Sequence, residues 1–131
     1  LLRETRRGHD VGSVVRAAEL CKRHGFRANV DLLFGLPGER EEDGRATAEL
    51  MRRLSALGAR VHTHTFMPLP GTPLAAAGPS AVADPVRAEV GRLEARGLSY
   101  GNWREQLVLA DQLARRRRAS DRGRNLAKGE A

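Results

Sequence analysis

Cysteine is almost absent from this sequence. Cys21 is the only one among 131 residues, so the chain cannot supply the three or four thiolates that hold an iron–sulfur cluster. Its place among small apolar residues at helical spacing favours a packed helix residue over a ligand or nucleophile. An unpaired cysteine agrees with a reducing compartment, and we expect a cytoplasmic protein.

Long apolar runs and the common nucleotide-binding motifs are absent as well. No stretch approaches the roughly 20 apolar residues that a transmembrane helix requires, and no signal-peptide pattern is present. We therefore expect no membrane partner. Neither a GxGxxG motif nor a Walker phosphate loop occurs, so a small dinucleotide- or phosphate-binding domain has little support.

The chain does contain two strand-like segments that each end in a turn rich in glycine and proline. Residues 30–34 lead into Gly35-Leu36-Pro37-Gly38-Glu39, and residues 61–67 lead into the proline-rich segment 68–73. Helical patterns before and between them predict the order α-β-α-β, with parallel neighbouring strands and the helices on one face. Two further helices are predicted after residue 84. Ligands of α/β proteins bind at the carboxyl ends of strands, so the two turns are the predicted functional region.

Taken together with Arg6-Arg7-Gly8-His9-Asp10 ahead of the first helix, these segments resemble the late part of the catalytic barrel of radical S-adenosylmethionine (SAM) enzymes. They are most similar to members that carry an N-terminal cobalamin-binding domain. The resemblance covers roughly residues 1–110 and implies an α/β fold in which residues 1–114 form the C-terminal portion of a partial (βα) barrel. It implies SAM and a 4Fe-4S cluster as cofactors of the complete enzyme, with cobalamin as a further one.

The same resemblance implies roles for the first turn. Gly35 and Leu36 would bind SAM, with Leu36 in apolar contact with adenine. Glu39 is expected instead to have a structural role near a helix N-terminus, where its charge is favourable. Three residues before the first helix either contact the SAM carboxylate or, as we favour, are solvated: Arg6, Arg7 and His9.

The sequence departs from the family in one respect. Radical SAM enzymes hold their cluster through a CxxxCxxC motif, which is missing here, and the chain starts at Leu1 without an initiator methionine. A βα barrel also needs about 200 residues or more. We therefore expect part of a longer enzyme, rather than a loss of function from an alternative start. Its predicted partner is the missing N-terminal part, and its substrate is an unidentified small molecule or peptide. We expect the chain alone to bind no cofactor and to be catalytically inactive.

Alternation along the two strands predicts a polar face, because neighbouring strand residues point to opposite sides. Five residues are predicted to line the barrel interior and face the substrate: Asn29, Asp31, His62, His64 and Phe66. His62 and His64 could also begin a zinc or iron site that Asp31 completes. A hydrogen-bonded pair or a substrate contact is favoured, and no metal site is predicted.

The net charge of +7 owes much to the C-terminal end, which contains Arg115-Arg116-Arg117-Arg118. Residues 115–131 are predicted to be a disordered basic tail. Such a tail could bind RNA or a protein partner, which makes a non-catalytic basic module the alternative function. No aromatic residues are interleaved for base stacking, so nucleic acid is not the expected partner and a solvated segment is favoured.

Overall fold

The computed structural model of the protein describes residues 10–129. Arg6, Arg7 and His9, for which SAM contacts are one alternative, lie outside the described residues. The described part has a mixed α/β fold. Its elements follow one another as α1 (Val11–Arg23), β1 (Asn29–Phe34), α2 (Glu41–Ala56), β2 (Arg60–Thr65), α3 (Asp84–Ala95), β3 (Ser99–Tyr100) and α4 (Trp103–Gly129).

The three strands form one parallel sheet in which β2 lies between β1 and β3. The predicted parallel pair is confirmed by β1 and β2. Register places Asp31 beside His62, and His62 beside Tyr100. The sequence does not predict β3, because a strand of two residues is too short to show an alternating pattern.

Local signals explain where the helices begin and end. Asp10 caps α1, since its carboxylate accepts a hydrogen bond from the Ser13 N–H at 2.7 Å. Gly25 follows α1 with a φ of 77°, a conformation that glycine adopts without a steric penalty. At α3 the N-cap is Ala83. Asp84 then lies in the first turn, where its negative charge is favourable.

The four helices of the described residues all pack on the same face of the sheet. The larger core cluster joins β1 and β2 to three helices through Phe34, Val61, Met51, Val90 and Trp103. A second cluster joins α1 to α2 and β1 through Ala18, Leu54 and Val30. On the opposite face the strands carry only exposed and half-buried side chains. One side of the sheet is therefore a packed core, and the other is not covered by the described residues.

The basic end of the chain differs from its prediction. Residues 115–129 continue α4 as an exposed helix instead of forming a disordered tail. Arginine, alanine and leucine are strong helix formers, and pairs such as Arg115 with Asp111 at 2.8 Å support the helical turns. Although α4 has 27 residues, neither it nor another helix between residues 10 and 129 has the apolar length that crossing a bilayer requires.

Candidate functional site

The uncovered side of the sheet, here called the open face, brings polar side chains of two strands together. In β1, Asn29 and Asp31 are exposed, and in β2, His62 and His64 are half-buried on the same side. The residues between them point into the helical core. The open face therefore holds four of the five residues that the sequence predicts to face a substrate.

Phe66 differs from the other four. It follows the last residue of β2, and only 7% of its surface is exposed. Its N–H still donates to the Phe34 carbonyl at 2.9 Å, so its backbone remains bonded to the last residue of β1. Phe66 thus packs at the carboxyl end of the strands and does not add exposed surface to the open face.

Asp31, His62 and His64 converge at one point of the open face. His62 Nδ1 lies 2.9 Å from Asp31 Oδ1 and 3.2 Å from His64 Nε2. His64 Nε2 is 3.7 Å from the same carboxylate oxygen. Strand alternation predicts a shared face for the three residues. Their meeting in one cluster depends on the register between β1 and β2, which the sequence does not reveal.

Tyr100 of β3 completes the surroundings of this cluster. Its ring stacks on the His62 imidazole, with ring centroids 4.5 Å apart and planes inclined by 7°. The guanidinium carbon of Arg60 lies 4.7 Å from the centre of the Tyr100 ring, close enough for a cation–π interaction. The stack holds the His62 ring in one orientation. The sequence does not predict either contact, because both depend on the unpredicted strand β3.

Buried polar groups on the other side of β2 fix the position of β3 and of the start of α4. Thr63 Oγ1 donates to the Tyr100 carbonyl at 3.1 Å, and Thr65 Oγ1 donates to the Trp103 carbonyl at 2.9 Å. A Cβ atom on Gly101 would lie 2.4 Å from the Thr63 carbonyl oxygen, and Gly101 has a φ of 132°. Only glycine fits this close approach of two backbones. Gly101 therefore allows Tyr100 to reach His62.

The turn after β1 is closed by its own residues. The Gly35 N–H donates to Glu39 Oε2 at 2.7 Å, and the Gly35 carbonyl accepts from the Ser80 N–H at 2.9 Å. The Glu39 N–H also donates to the Leu36 carbonyl at 3.0 Å. The Gly35 N–H is therefore not a free donor at this strand end, because the carboxylate four residues later accepts from it.

Glu39 is thus a turn-closing residue as well as a neighbour of the α2 N-terminus. Partial burial raises the pKa of its carboxyl group, and the negative charge of Asp43 acts in the same direction. The hydrogen bond from Gly35 opposes these effects by favouring the charged form. Burial and Asp43 together outweigh this hydrogen bond, so the pKa of Glu39 is raised overall.

The cofactors that the resemblance implies fit this chain only in part. Cys21, half-buried on α1, is the single thiol of the sequence, so the chain cannot hold a 4Fe-4S cluster. At the predicted SAM turn both backbone groups of Gly35 are already bonded within the protein. What remains there for an adenine ring is the half-buried apolar side chain of Leu36.

No known protein family profile matches this chain. The chain is 32% identical over 57 residues to an uncharacterized protein of Methanocaldococcus jannaschii, a match that covers 44% of this chain and 11% of the relative. It is 31% identical over 73 residues to an uncharacterized protein of Methanopyrus kandleri, covering 55% of this chain and 14% of the relative. The chain therefore spans only a small part of the length of these relatives. No solved structure matches.

Proposed function

We propose that this chain is the C-terminal part of the catalytic barrel of a cytoplasmic radical SAM enzyme, and that its open face is a wall of the substrate cavity. The observation that carries the proposal is the winding of the sheet. Between residues 10 and 129, three parallel strands follow one another in chain order, and every helix lies on the same side.

Parallel sheets normally have both faces covered. In doubly wound folds helices cover both faces, whereas in a βα barrel the helices lie outside and the sheet closes on itself. One-sided helices and strands in sequential order agree with the second arrangement. The polar residues Asn29, Asp31, His62 and His64 on the other side suit a barrel whose interior holds a substrate rather than packed branched apolar residues.

In this proposal the chain positions substrate and does not generate the radical. Cluster ligands would have to come from another part of the protein, and no step of the SAM chemistry is assigned to residues of this chain. The relatives are several times longer than the segment they share with it, which supports a place within a larger protein. The N-terminal part of that protein is the partner that would complete the barrel.

The first test is the coding sequence upstream of Leu1, which should contain an in-frame CxxxCxxC motif. The longer protein, reconstituted with iron and sulfide and then reduced, should cleave SAM to 5′-deoxyadenosine. Replacing the three cysteines with alanine should abolish this cleavage. A stop codon directly upstream of Leu1, or a reconstituted protein that leaves SAM intact, would contradict the proposal.

The open face can be tested without a known substrate. Because Asp31 and His64 are assigned to the substrate wall, Asp31→Ala and His64→Ala should keep the slow SAM cleavage that occurs in the absence of substrate. His24→Ala, at the exposed end of α1, is the matched control. Loss of cleavage in the open-face variants but not in the control would remove these residues from the substrate wall.

A second candidate is a non-catalytic basic module, favoured by the exposed arginines of residues 115–129. If this helix binds RNA, affinity should fall steeply with salt and disappear when residues 115–131 are deleted. Removing two exposed charges elsewhere, with Lys22→Ala and Arg23→Ala, is the control. We expect only weak, non-specific binding. Tight, sequence-selective binding at physiological salt would favour the module over the enzyme.

A further inference from the structure

We infer that Asp31, His62 and His64 form a binding site for one divalent transition-metal ion of the zinc or ferrous class. Each residue offers one ligand atom, and the three atoms lie within 4.8 Å of one another. The inference depends on these side chains and their register alone. It does not require that the protein be a radical SAM enzyme.

The spacing of the three atoms matches the space around a single ion. Bonds from Zn²⁺ to imidazole nitrogen or carboxylate oxygen are about 2.0–2.2 Å long, so in a tetrahedral site neighbouring ligand atoms lie about 3.3–3.6 Å apart. The observed separations are 2.9, 3.2 and 3.7 Å. A triangle with these sides has a circumscribed circle of radius about 1.9 Å. A point about 2.1 Å from all three atoms therefore exists just outside their plane.

Hydrogen bonds among these three atoms satisfy them less well than a bound metal ion would. A neutral imidazole has one N–H and one lone pair, and an ionised carboxylate only accepts. If His62 Nδ1 carries a hydrogen, Asp31 and His64 compete for it; if it carries none, its lone pair faces the carboxylate oxygen at 2.9 Å. A cation removes this conflict, because it binds a lone pair from each atom at once.

The donor set indicates the class of metal. Two imidazoles and one carboxylate suit zinc and iron, whereas magnesium and calcium prefer oxygen ligands alone. The Asp31 side chain is 76% exposed, so solvent reaches the cluster from outside the sheet. Three protein ligands leave at least one coordination position for water or a substrate, as catalytic metal sites do.

The neighbouring residues prepare His62 to act as a ligand. The stack on Tyr100 restricts rotation of the imidazole, and the pairing register of β1 with β2 places Asp31 beside His62. Tyr100 is thus a positioning residue for the site. Pre-oriented ligands lose less conformational freedom when the ion binds, and the supporting contacts of metal sites typically change affinity about 10- to 100-fold.

The test uses Zn²⁺ and the complete 131-residue chain, with zinc measured by competition against a chromophoric chelator. We expect one equivalent of tightly bound zinc. His62→Ala, His64→Ala and Asp31→Ala should each weaken binding at least about tenfold. Cys21→Ser and His24→Ala, which alter the thiol and a histidine outside the cluster, should bind zinc like the unmodified chain. Circular dichroism of each variant monitors its folding.

A cobalt spectrum of the unmodified chain provides a second measurement that needs no variant. Co²⁺ at this site should show visible d–d bands without a thiolate-to-metal charge-transfer band, because its ligands are nitrogen and oxygen. The inference is overturned if no equivalent of zinc binds, if the His64 and Asp31 variants bind as the unmodified chain does, or if Cys21→Ser abolishes binding. Since no SAM or cluster is present in the assay, its result is separate from that of the radical SAM proposal.

Discussion

The two faces of β2 come from the same six residues and have opposite roles. On the covered face, Thr63 and Thr65 are buried, and their hydroxyl groups donate to backbone carbonyls of the following segment. On the open face, His62 and His64 are half-buried, and a ring nitrogen of each lies within 3.7 Å of the same Asp31 carboxylate oxygen. The Thr63 and Thr65 hydroxyl groups of the covered face are thus bonded within the fold, whereas the imidazole nitrogens of the open face are available to a ligand.

The largest effect is expected on β1, where neighbouring residues likewise lie on opposite faces. Phe34 is fully buried against Trp103, while Leu33 on the open face is 36% exposed. Phe34→Ala should lower the free energy of unfolding by about 3–5 kcal/mol, because it leaves a cavity in the main cluster. Leu33→Ala should cost less than about 1 kcal/mol.

Urea denaturation of the 131-residue chain measures both variants of this pair. Similar losses for Phe34→Ala and Leu33→Ala would mean that the open face is packed in solution, for example against a second copy of the chain. In that case the cluster around His62 would not be accessible to solvent. Sedimentation of the unmodified chain at several concentrations would distinguish association from internal packing.

The next effect concerns Gly101, which packs against the backbone of Thr63 and directly follows Tyr100, the residue stacked on His62. Gly101→Ala would place a Cβ atom 2.4 Å from the Thr63 carbonyl oxygen at a φ of 132°. We expect a loss of about 2–4 kcal/mol of unfolding free energy, since either the backbone or β3 must move. Gly123→Ala, where an added Cβ meets nothing within 4 Å, should be neutral or stabilising by up to about 1 kcal/mol.

Gly101→Ala should also disturb the open face, because Tyr100 precedes it and stacks on His62. Imidazole proton signals of His62 report this directly by NMR, since the loss of a stacked ring shifts them. Unchanged signals in a folded Gly101→Ala variant would mean that Tyr100 is not held over His62 by β3. The positioning role of Tyr100 would then be wrong.

Much of this arrangement follows from short-range patterns. The helices have apolar residues at helical spacing and glycines at their ends, and the strands alternate, so α1 to β2 and their parallel pairing are predicted from sequence. The contact between Asp31 and His62 is not, because it depends on a register that no local pattern specifies. The hydrogen bond from Gly35 to Glu39 and the close approach of Gly101 to the Thr63 backbone are not predicted either. Both depend on the three-dimensional arrangement of the chain rather than on a local pattern.

The helical state of residues 115–129 illustrates the opposite difficulty. Low hydrophobicity and high charge predict disorder, yet the same residues have high helix propensity and continue a helix already started by the buried Trp103 and Ala110. Propagating a helix is far easier than nucleating one. Composition alone therefore misjudges a segment whose conformation is determined by what precedes it.

The smallest expected effect concerns the turn after β1. It tests whether the hydrogen bond between Gly35 and Glu39 stabilises the fold, as those of Thr63 and Thr65 on the covered face are expected to do. Glu39→Ala removes the acceptor of the Gly35 N–H and should cost about 1 kcal/mol of unfolding free energy, because a partly buried donor is left unpaired. Glu39→Gln keeps an acceptor oxygen and removes the charge. The difference between Glu39→Gln and the unmodified chain isolates ionisation, and this difference should depend on pH.

The sign of that dependence follows from the raised pKa of Glu39 in the folded state. Between the unfolded and the folded pKa the native state binds more protons, so the unmodified chain loses stability relative to Glu39→Gln as the pH rises through this window. The contribution is fully present only below the unfolded pKa. It should stay below about 1 kcal/mol, because the half-exposed carboxylate is screened by solvent. Urea midpoints of both proteins from about pH 3 to about pH 7 measure it, because this range brackets the ordinary glutamate pKa of about 4.3. If the unmodified chain instead gains stability over Glu39→Gln with rising pH, the hydrogen bond from Gly35 outweighs burial, and the turn favours the charged carboxylate.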